Sequence, residues 1–143
     1  MVIATFFVKS NFSGRWYFYV QIKMINVNPA RRVTEDSFVR SLTIALNIPY
    51  REAFKALSDY ALGASLAMTD IRAFKGLLKA FGYYEKQIQR KCNVSTFAEI
   101  YAKSGKVYIL RVGRNTSTII KNKVIYDNFD VSKKIVNSYW IIN

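Results

Sequence analysis

Cationic and aromatic side chains are interleaved over one segment in the middle of this 143-residue chain. Arg72, Lys75 and Lys79 recur at helical spacing, opposite the apolar residues of the same segment. Such a combination can neutralise phosphates and stack on bases, although a solvated helix face is the alternative interpretation. The candidate anion-binding residues are Arg31, Arg32, Arg72, Lys75, Lys79, Tyr83, Tyr84, Lys86, Arg90, Lys91, Arg111 and Arg114.

Two residue types that most often carry catalysis or hold metals are scarce or missing. The chain has no histidine and one cysteine, Cys92, so the usual zinc ligands are lacking and we expect neither metal nor cofactor. The six glycines form no phosphate-binding loop. Cations beside Cys92 could lower the pKa of its thiol, but no base accompanies it, and we expect an inert surface thiol.

Three segments of the chain carry a resemblance to a known family. From Asn28 the sequence reads NPARRVTEDSFVRSLTIALNIPYREAFKAL, from Gly113 it reads GRNTSTIIKNKVIYDNFDVS, and near the end it reads NSYW. Over about residues 24–142 the chain resembles small papain-like cysteine-peptidase proteins encoded by phages and other mobile elements. In that family the first helix opens with Asp-Cys, and a histidine precedes a strand that ends in Tyr-Asp.

The resemblance implies that the catalytic residues have been replaced. Ser37 stands in the place of the cysteine, Arg114 or Asn115 in the place of the histidine, and Asp127 in the place of the orienting acid. A serine hydroxyl needs an adjacent base, and an arginine that stays protonated cannot supply one. We therefore expect vestigial positions in a chain without catalytic activity.

Structural roles are the simpler interpretation of the same positions. Ser37 is then a small residue in the first turn of a helix, and Asp127 pairs with Arg114 or a neighbouring lysine. A serine–lysine pair remains as a catalytic alternative. Its candidate lysines are Lys106, Lys121 and Lys123.

The elements that position these residues follow an α+β order. We predict an N-terminal β-hairpin, a helical region and then a C-terminal antiparallel sheet, which is also the order of a degenerate papain-like fold. Thr34 or Asp36 is expected to cap the first helix, and Phe54 and Phe81 are expected to face inward. The predicted strands are 2–9, 16–24, 106–112, 117–121, 123–129 and 135–142, and the predicted helices are 35–46, 50–62, 69–81 and 95–103.

Composition indicates one globular domain over residues 1–143, with 1–23 as a hairpin extension and 24–143 as the papain-like core. Met24 is an alternative start. No apolar run reaches the roughly 18 residues that span a membrane, and no segment resembles a secretory signal. A single cysteine agrees with a reducing compartment. We expect a location in the host cytoplasm, away from membranes.

The charge balance indicates an anionic partner. The 22 lysines and arginines exceed the 9 acidic residues by 13, and such an excess attracts polyanions. The expected partner is a host protein or nucleoprotein complex, or nucleic acid directly. We therefore predict a non-catalytic phage or mobile-element protein that inhibits a host nucleic-acid-handling or defence complex by occlusion. The alternatives are a virion or assembly component that pairs through the hairpin edge, and a residual hydrolase that uses Ser37.

Overall fold

The computed structural model describes residues 2–12, 16–30 and 35–142. Its elements follow the predicted α+β order, with helices between an N-terminal hairpin and C-terminal strands. The strands are β1 (Val2–Phe12), β2 (Trp16–Ile25), β3 (Lys86–Gln87), β4 (Val107–Arg111), β5 (Ser117–Lys121), β6 (Val124–Asp127) and β7 (Ser138–Ile142). The helices are α1 (Ser37–Leu46), α2 (Tyr50–Gly63), α3 (Ile71–Ala80) and α4 (Val94–Thr96), which continues as a π-helical turn over Phe97–Tyr101. Arg31, Arg32 and Thr34 lie outside the described residues.

The seven strands of the described residues belong to one mixed sheet, in the order β1-β2-β6-β5-β4-β7-β3. The C-terminal strands β4, β5, β6 and β7 pair antiparallel with one another, as predicted. The sheet as a whole is mixed, because β2 of the N-terminal hairpin joins β6 in parallel with Ile22 opposite Ile125. Val20 and Ile22 are buried in the same core as Ile120 and Ile125. The hairpin therefore contributes residues to the main core.

Each face of the sheet buries its own apolar cluster, because successive side chains of a strand point to opposite sides. On one side, Ile109, Ile119 and Trp140 pack against α1, α2 and α3, and we call this cluster the helix-side core. On the other side, Tyr108 and Leu110 pack with residues of α4 and its π-helical turn, which we call the turn-side core. The helix-side core leaves Phe54 and Phe81 46% exposed, so the expectation that they face inward is wrong.

Local sequence signals account for several element ends. Asn122 and Lys123 both have positive φ, as a two-residue hairpin turn requires, and they join β5 to β6. Asp70 caps α3 by accepting a hydrogen bond from the Arg72 N–H at 2.8 Å, and Gly82 takes a positive φ just after that helix. Among the described helices, none combines the length and the apolar character needed to cross a membrane.

Candidate functional site

Ser37 is buried in the first turn of α1, where the helix meets β5. The helix is held there by apolar packing on its core face. Phe38 stacks on Phe74 of α3 with ring centroids 4.4 Å apart, and Leu42 is fully buried in the helix-side core. This packing fixes the position of the Ser37 hydroxyl relative to the sheet.

The Ser37 hydroxyl interacts with the beginning of β5. Its Oγ accepts a hydrogen bond from the Ser117 N–H at 3.3 Å. The Ser117 hydroxyl donates to the Ser37 carbonyl at 3.2 Å and lies 2.6 Å from the Ser41 Oγ. A backbone N–H and a second serine cannot remove a proton from Ser37, so these contacts do not activate the hydroxyl.

The residue of β5 that faces Ser37 is Ser117, and neither Arg114 nor Asn115 occupies that position. Both lie in the exposed bend over residues 113–115 that precedes the strand. The Asn115 Oδ1 accepts a hydrogen bond from the Ile71 N–H at 3.2 Å, so its side chain completes the start of α3. The vestigial position inferred from the sequence is thus displaced from Ser37 toward α3.

None of the three lysines considered as partners of Ser37 has a described contact with its hydroxyl. Lys121 lies four residues beyond Ser117, which is roughly 13 Å along an extended strand. Lys106 precedes β4 at the same end of the sheet, where Val107 pairs with Lys121. The Lys123 Nζ donates to the Glu99 carbonyl at 2.9 Å.

Arg40 bridges two buried carboxylates beside the start of α1. Its Nε lies 2.8 Å from the Asp36 Oδ1, and its Nη1 lies 2.8 Å from the Asp127 Oδ1. The exposed fractions of the three side chains are between 1% and 8%. Asp127 therefore pairs with Arg40, and the predicted pairing with Arg114 or a lysine is wrong. This ion-pair triad links the start of α1 to the end of β6.

Asp36 also receives hydrogen bonds on its second oxygen. The Tyr50 hydroxyl donates to the Asp36 Oδ2 at 2.8 Å and the Asn28 Nδ2 donates at 3.2 Å. Because these groups and Arg40 occupy the carboxylate, the Asp36 side chain does not cap α1 as the sequence predicted. Burial and the hydrogen bond to Asp36 raise the pKa of Tyr50, so the phenol stays protonated and acts as a donor.

Burial also raises the pKa of Asp127, although the charge and the hydrogen bond of Arg40 act against this effect. The backbone N–H of Asn128 donates to the Asp127 Oδ1 at 2.7 Å. The Asp127 Oδ1 therefore accepts two hydrogen bonds, one from Arg40 and one from the Asn128 backbone. These hydrogen bonds anchor the end of β6. The carboxylate has no histidine to orient, because the chain contains none.

Cys92 is buried, at 8% exposure, so the expectation of a surface thiol is wrong. Burial raises the pKa of the thiol, which opposes the activation that Arg90 and Lys91 could have provided. Among the described residues, no three histidine, cysteine or acidic side chains are grouped closely enough to hold a metal ion.

Several of the candidate anion-binding cations are paired with carboxylates. The Arg72 Nη2 lies 2.8 Å from the Asp70 Oδ2, and the Lys75 Nζ lies 2.8 Å from the Glu85 Oε2. Arg111 approaches Glu85 more distantly, at 3.9 Å. Burial raises the pKa of Glu85, but the interactions with Lys75 and Ser138 and the charge of Arg111 together outweigh it, so the net shift is downward. Glu85 therefore neutralises part of the positive charge beside α3.

Five other candidate cations are exposed and make no ion pair with any residue that the structure describes. We call them the unpaired cations. They are Lys79, Lys86, Arg90, Lys91 and Arg114.

The candidate residues divide between the two sides of the sheet. Lys75 and Arg111 meet at Glu85 on the side of the helix-side core, whereas Arg90 lines a cleft with Phe97 and Tyr139 on the other side. The short edge strand β3, which includes Lys86, lies between Glu85 and Arg90 in the sequence.

The two candidate tyrosines also differ. Tyr84 is 65% exposed and can stack on a ligand, whereas Tyr83 packs partly buried against the helix-side core.

Sequence reasoning missed Arg40, Ser117 and Glu85. The spacing of Asp36 and Arg40, four residues apart on a predicted helix, is a signal for an ion pair and could have been noticed. No local signal marks Ser117, because its partner Ser37 lies 80 residues away in the chain.

Comparison with protein-family models, with curated proteins and with solved structures finds no match to this chain. The resemblance to phage-encoded papain-like proteins stays a prediction.

Proposed function

We propose that this protein is a non-catalytic module that binds a polyanion, in the first place nucleic acid, through the unpaired cations at the end of α3, around β3 and in the bend before β5. Its origin is a phage or another mobile element, and its role is to occlude a host nucleic-acid-handling or defence complex. The observation that carries the binding part is the set of exposed cations that pair with no carboxylate among the residues that the structure describes. Five such side chains in a chain with a net charge of +13 favour contacts with phosphates.

The arrangement at the start of α1 supports a function without catalysis. The Ser37 hydroxyl hydrogen-bonds to a backbone N–H, and the charged side chains at the same end of α1 form the Asp36–Arg40–Asp127 triad. Each member of that triad already has a structural partner. A nucleophilic serine would instead need a base positioned to accept its proton.

The proposed origin and the occlusion of a host complex rest on the sequence resemblance, on small size and on charge. A strongly basic module associates rapidly with anionic assemblies, because its field steers the encounter. Binding without turnover is sufficient for occlusion.

Nucleic-acid binding is tested with labelled single- and double-stranded oligonucleotides of about 20 nucleotides, followed by fluorescence anisotropy over a salt series. The logarithm of the affinity should fall linearly with the logarithm of the salt concentration. Replacing Lys79 and Lys86 by glutamate should lower the salt slope by about 1 to 2, since each phosphate contact contributes roughly 0.7 to 0.9.

The matched control replaces Lys106 and Lys121 by glutamate. Both lysines are exposed and lie at the end of β4 and β5 that is away from Arg111 and β3. The two double variants have the same net charge. Equal losses of affinity in the two variants would mean that bulk charge alone drives binding.

The Glu85→Gln variant should bind nucleic acid more tightly, because it releases Lys75 and Arg111 from their ion pairs. No binding by the wild-type protein at low salt would refute the proposal.

A role in assembly is the second candidate, and one observation favours it. The 11-residue strand β1 lies at the edge of the sheet with β2 as its strand partner, and its Phe7 is exposed. Edge strands of this length can pair with another chain. A stable oligomer at micromolar concentration that dissociates in the Phe7→Lys variant would favour this role over the first.

A further inference from the structure

A cleft of about 420 Å³ opens between the edge strand β3 and the π-helical turn that follows α4. Its lining combines aromatic rings, side-chain amides and one guanidinium group. Small-molecule sites in proteins commonly have volumes of roughly 300 to 1,000 Å³. The lining residues are Gln87, Ile88, Gln89, Arg90, Phe97, Tyr101 and Tyr139.

Aromatic rings form one wall of the cleft. Phe97 is almost fully buried and packs against Tyr139 and Tyr101, with ring centroids 5.1 and 5.9 Å apart. Tyr101 is 40% exposed, so part of its ring is open to solvent. A supported and partly exposed ring is the kind of platform on which an unstacked base can lie.

Two neutral amides and one positively charged guanidinium complete the lining. Gln87, Gln89 and Arg90 are exposed, and no carboxylate contributes to the cleft among the described residues. An amide can both donate to and accept from the edge of a base, whereas a guanidinium donates only and suits a phosphate. Lys91 follows directly and is one of the unpaired cations.

The backbone that carries Phe97 and Tyr101 has an unusual form. The Ala102 N–H donates to the Phe97 carbonyl at 2.8 Å, a hydrogen bond over five residues. Such π-helical turns are rare and often occur at functional sites. Here the turn supplies two of the three aromatic residues of the cleft.

We propose that this cleft holds one unstacked base of a single-stranded nucleic acid. Tyr101 stacks on the base, Gln87 and Gln89 contact its edge, and Arg90 contacts an adjacent phosphate. This inference rests on the proposed binding of nucleic acid and specifies the form of the ligand, because a base in an intact duplex is not available to enter a cleft.

The test compares the full-length protein with its Tyr101→Ala, Tyr101→Phe and Ile100→Ala variants. Ile100 is an exposed neighbour in the same turn and does not line the cleft, so it is the matched control. Anisotropy is measured with a labelled 20-nucleotide oligothymidylate, with an RNA of the same length and with a duplex. Fluorescence of a single 2-aminopurine in the strand reports stacking directly.

Tyr101→Ala should weaken single-strand binding roughly tenfold, within the range expected for the loss of one stacked base. It should leave duplex binding and the salt slope unchanged and should abolish the quenching of 2-aminopurine. Tyr101→Phe should behave as the wild type, since phenylalanine keeps the ring, and so should Ile100→Ala.

Two results would overturn the inference, and they differ in what else they imply. If the wild type binds oligonucleotides but Tyr101→Ala changes neither affinity nor quenching, the cleft is not a base site, and the proposed function survives. If the wild type binds no oligonucleotide at low salt, the proposed function and this inference fail together. Circular dichroism would show whether the Tyr101→Ala variant is unfolded. In that case the Arg90→Gln variant replaces it, and its salt slope should fall by about one unit.

Discussion

Arg40 lies between Asp36 and Asp127, and all three side chains are buried. Removing charges from water is costly, so each member of the triad depends on the others. Because Asp36 also accepts from Tyr50 and Asn28, the triad connects the segment before α1, the start of α2 and the end of β6. A substitution at Arg40 therefore affects contacts well beyond one helix.

Replacing Arg40 by methionine should destabilise the protein by about 3 to 5 kcal/mol, because it leaves two carboxylates buried without a cation. Urea unfolding followed by circular dichroism measures the change. The control is Lys55→Met. Lys55 pairs with Asp59 at 2.6 Å on the exposed face of α2, and its loss should not shift the unfolding midpoint measurably. Similar shifts for both variants would contradict a special role of the triad.

At the scale of elements, α2 and α3 approach closely at Gly76. A Cβ atom built at this glycine would overlap the phenol ring of Tyr60 from α2. Glycine in the middle of a helix lowers stability by about 1 kcal/mol relative to alanine. The packing between α2 and α3 has to offset this cost. The absence of a side chain at Gly76 allows the Tyr60 ring to lie between the two helices.

Gly76→Ala should lower the melting temperature in spite of the better helix propensity of alanine, because Tyr60 has to move. Gly63→Ala is the matched variant at the end of α2, where an added Cβ meets nothing within 4 Å and φ is not positive. This second change should leave the melting temperature equal or slightly higher. Thermal unfolding of both variants decides the matter, and a stabilised Gly76→Ala variant would show that the contact with Tyr60 is loose.

On the scale of the whole molecule, the N-terminal hairpin is joined to the rest of the sheet through β2 and β6. Val20 and Ile22 of β2 are buried together with Leu110, Ile120 and Ile125 in the turn-side core. A chain that started at Met24 would lack both Val20 and Ile22. The hairpin therefore belongs to the cooperative folding unit in this arrangement.

Ile22→Ala should destabilise the whole protein by about 2 to 5 kcal/mol, as expected for a large side chain removed from a core. Phe7→Ala is the control on β1, since Phe7 is 63% exposed, and we expect a change within about 0.5 kcal/mol. The measurement is denaturant unfolding monitored at two wavelengths. A negligible effect of Ile22→Ala would mean that the core folds without the hairpin.

The sequence alone determined the features that depend on neighbouring residues. Apolar periodicity predicted α1, α2 and α3 within a few residues of their ends. The absence of histidine excludes a histidine base whatever fold the chain adopts. These conclusions need no knowledge of which segments meet in space.

Only the tertiary structure decided which residues meet across the chain. Ser37 contacts Ser117 across 80 residues, and Arg40 reaches Asp127 across 87. The sequence placed Arg114 opposite Ser37, whereas the residue that contacts Ser37 is Ser117, a few residues later in the chain. The same holds for the parallel pairing of β2 with β6 and for the cleft beside the π-helical turn. Such contacts depend on the packing of distant elements, and local propensity contains no information about that packing.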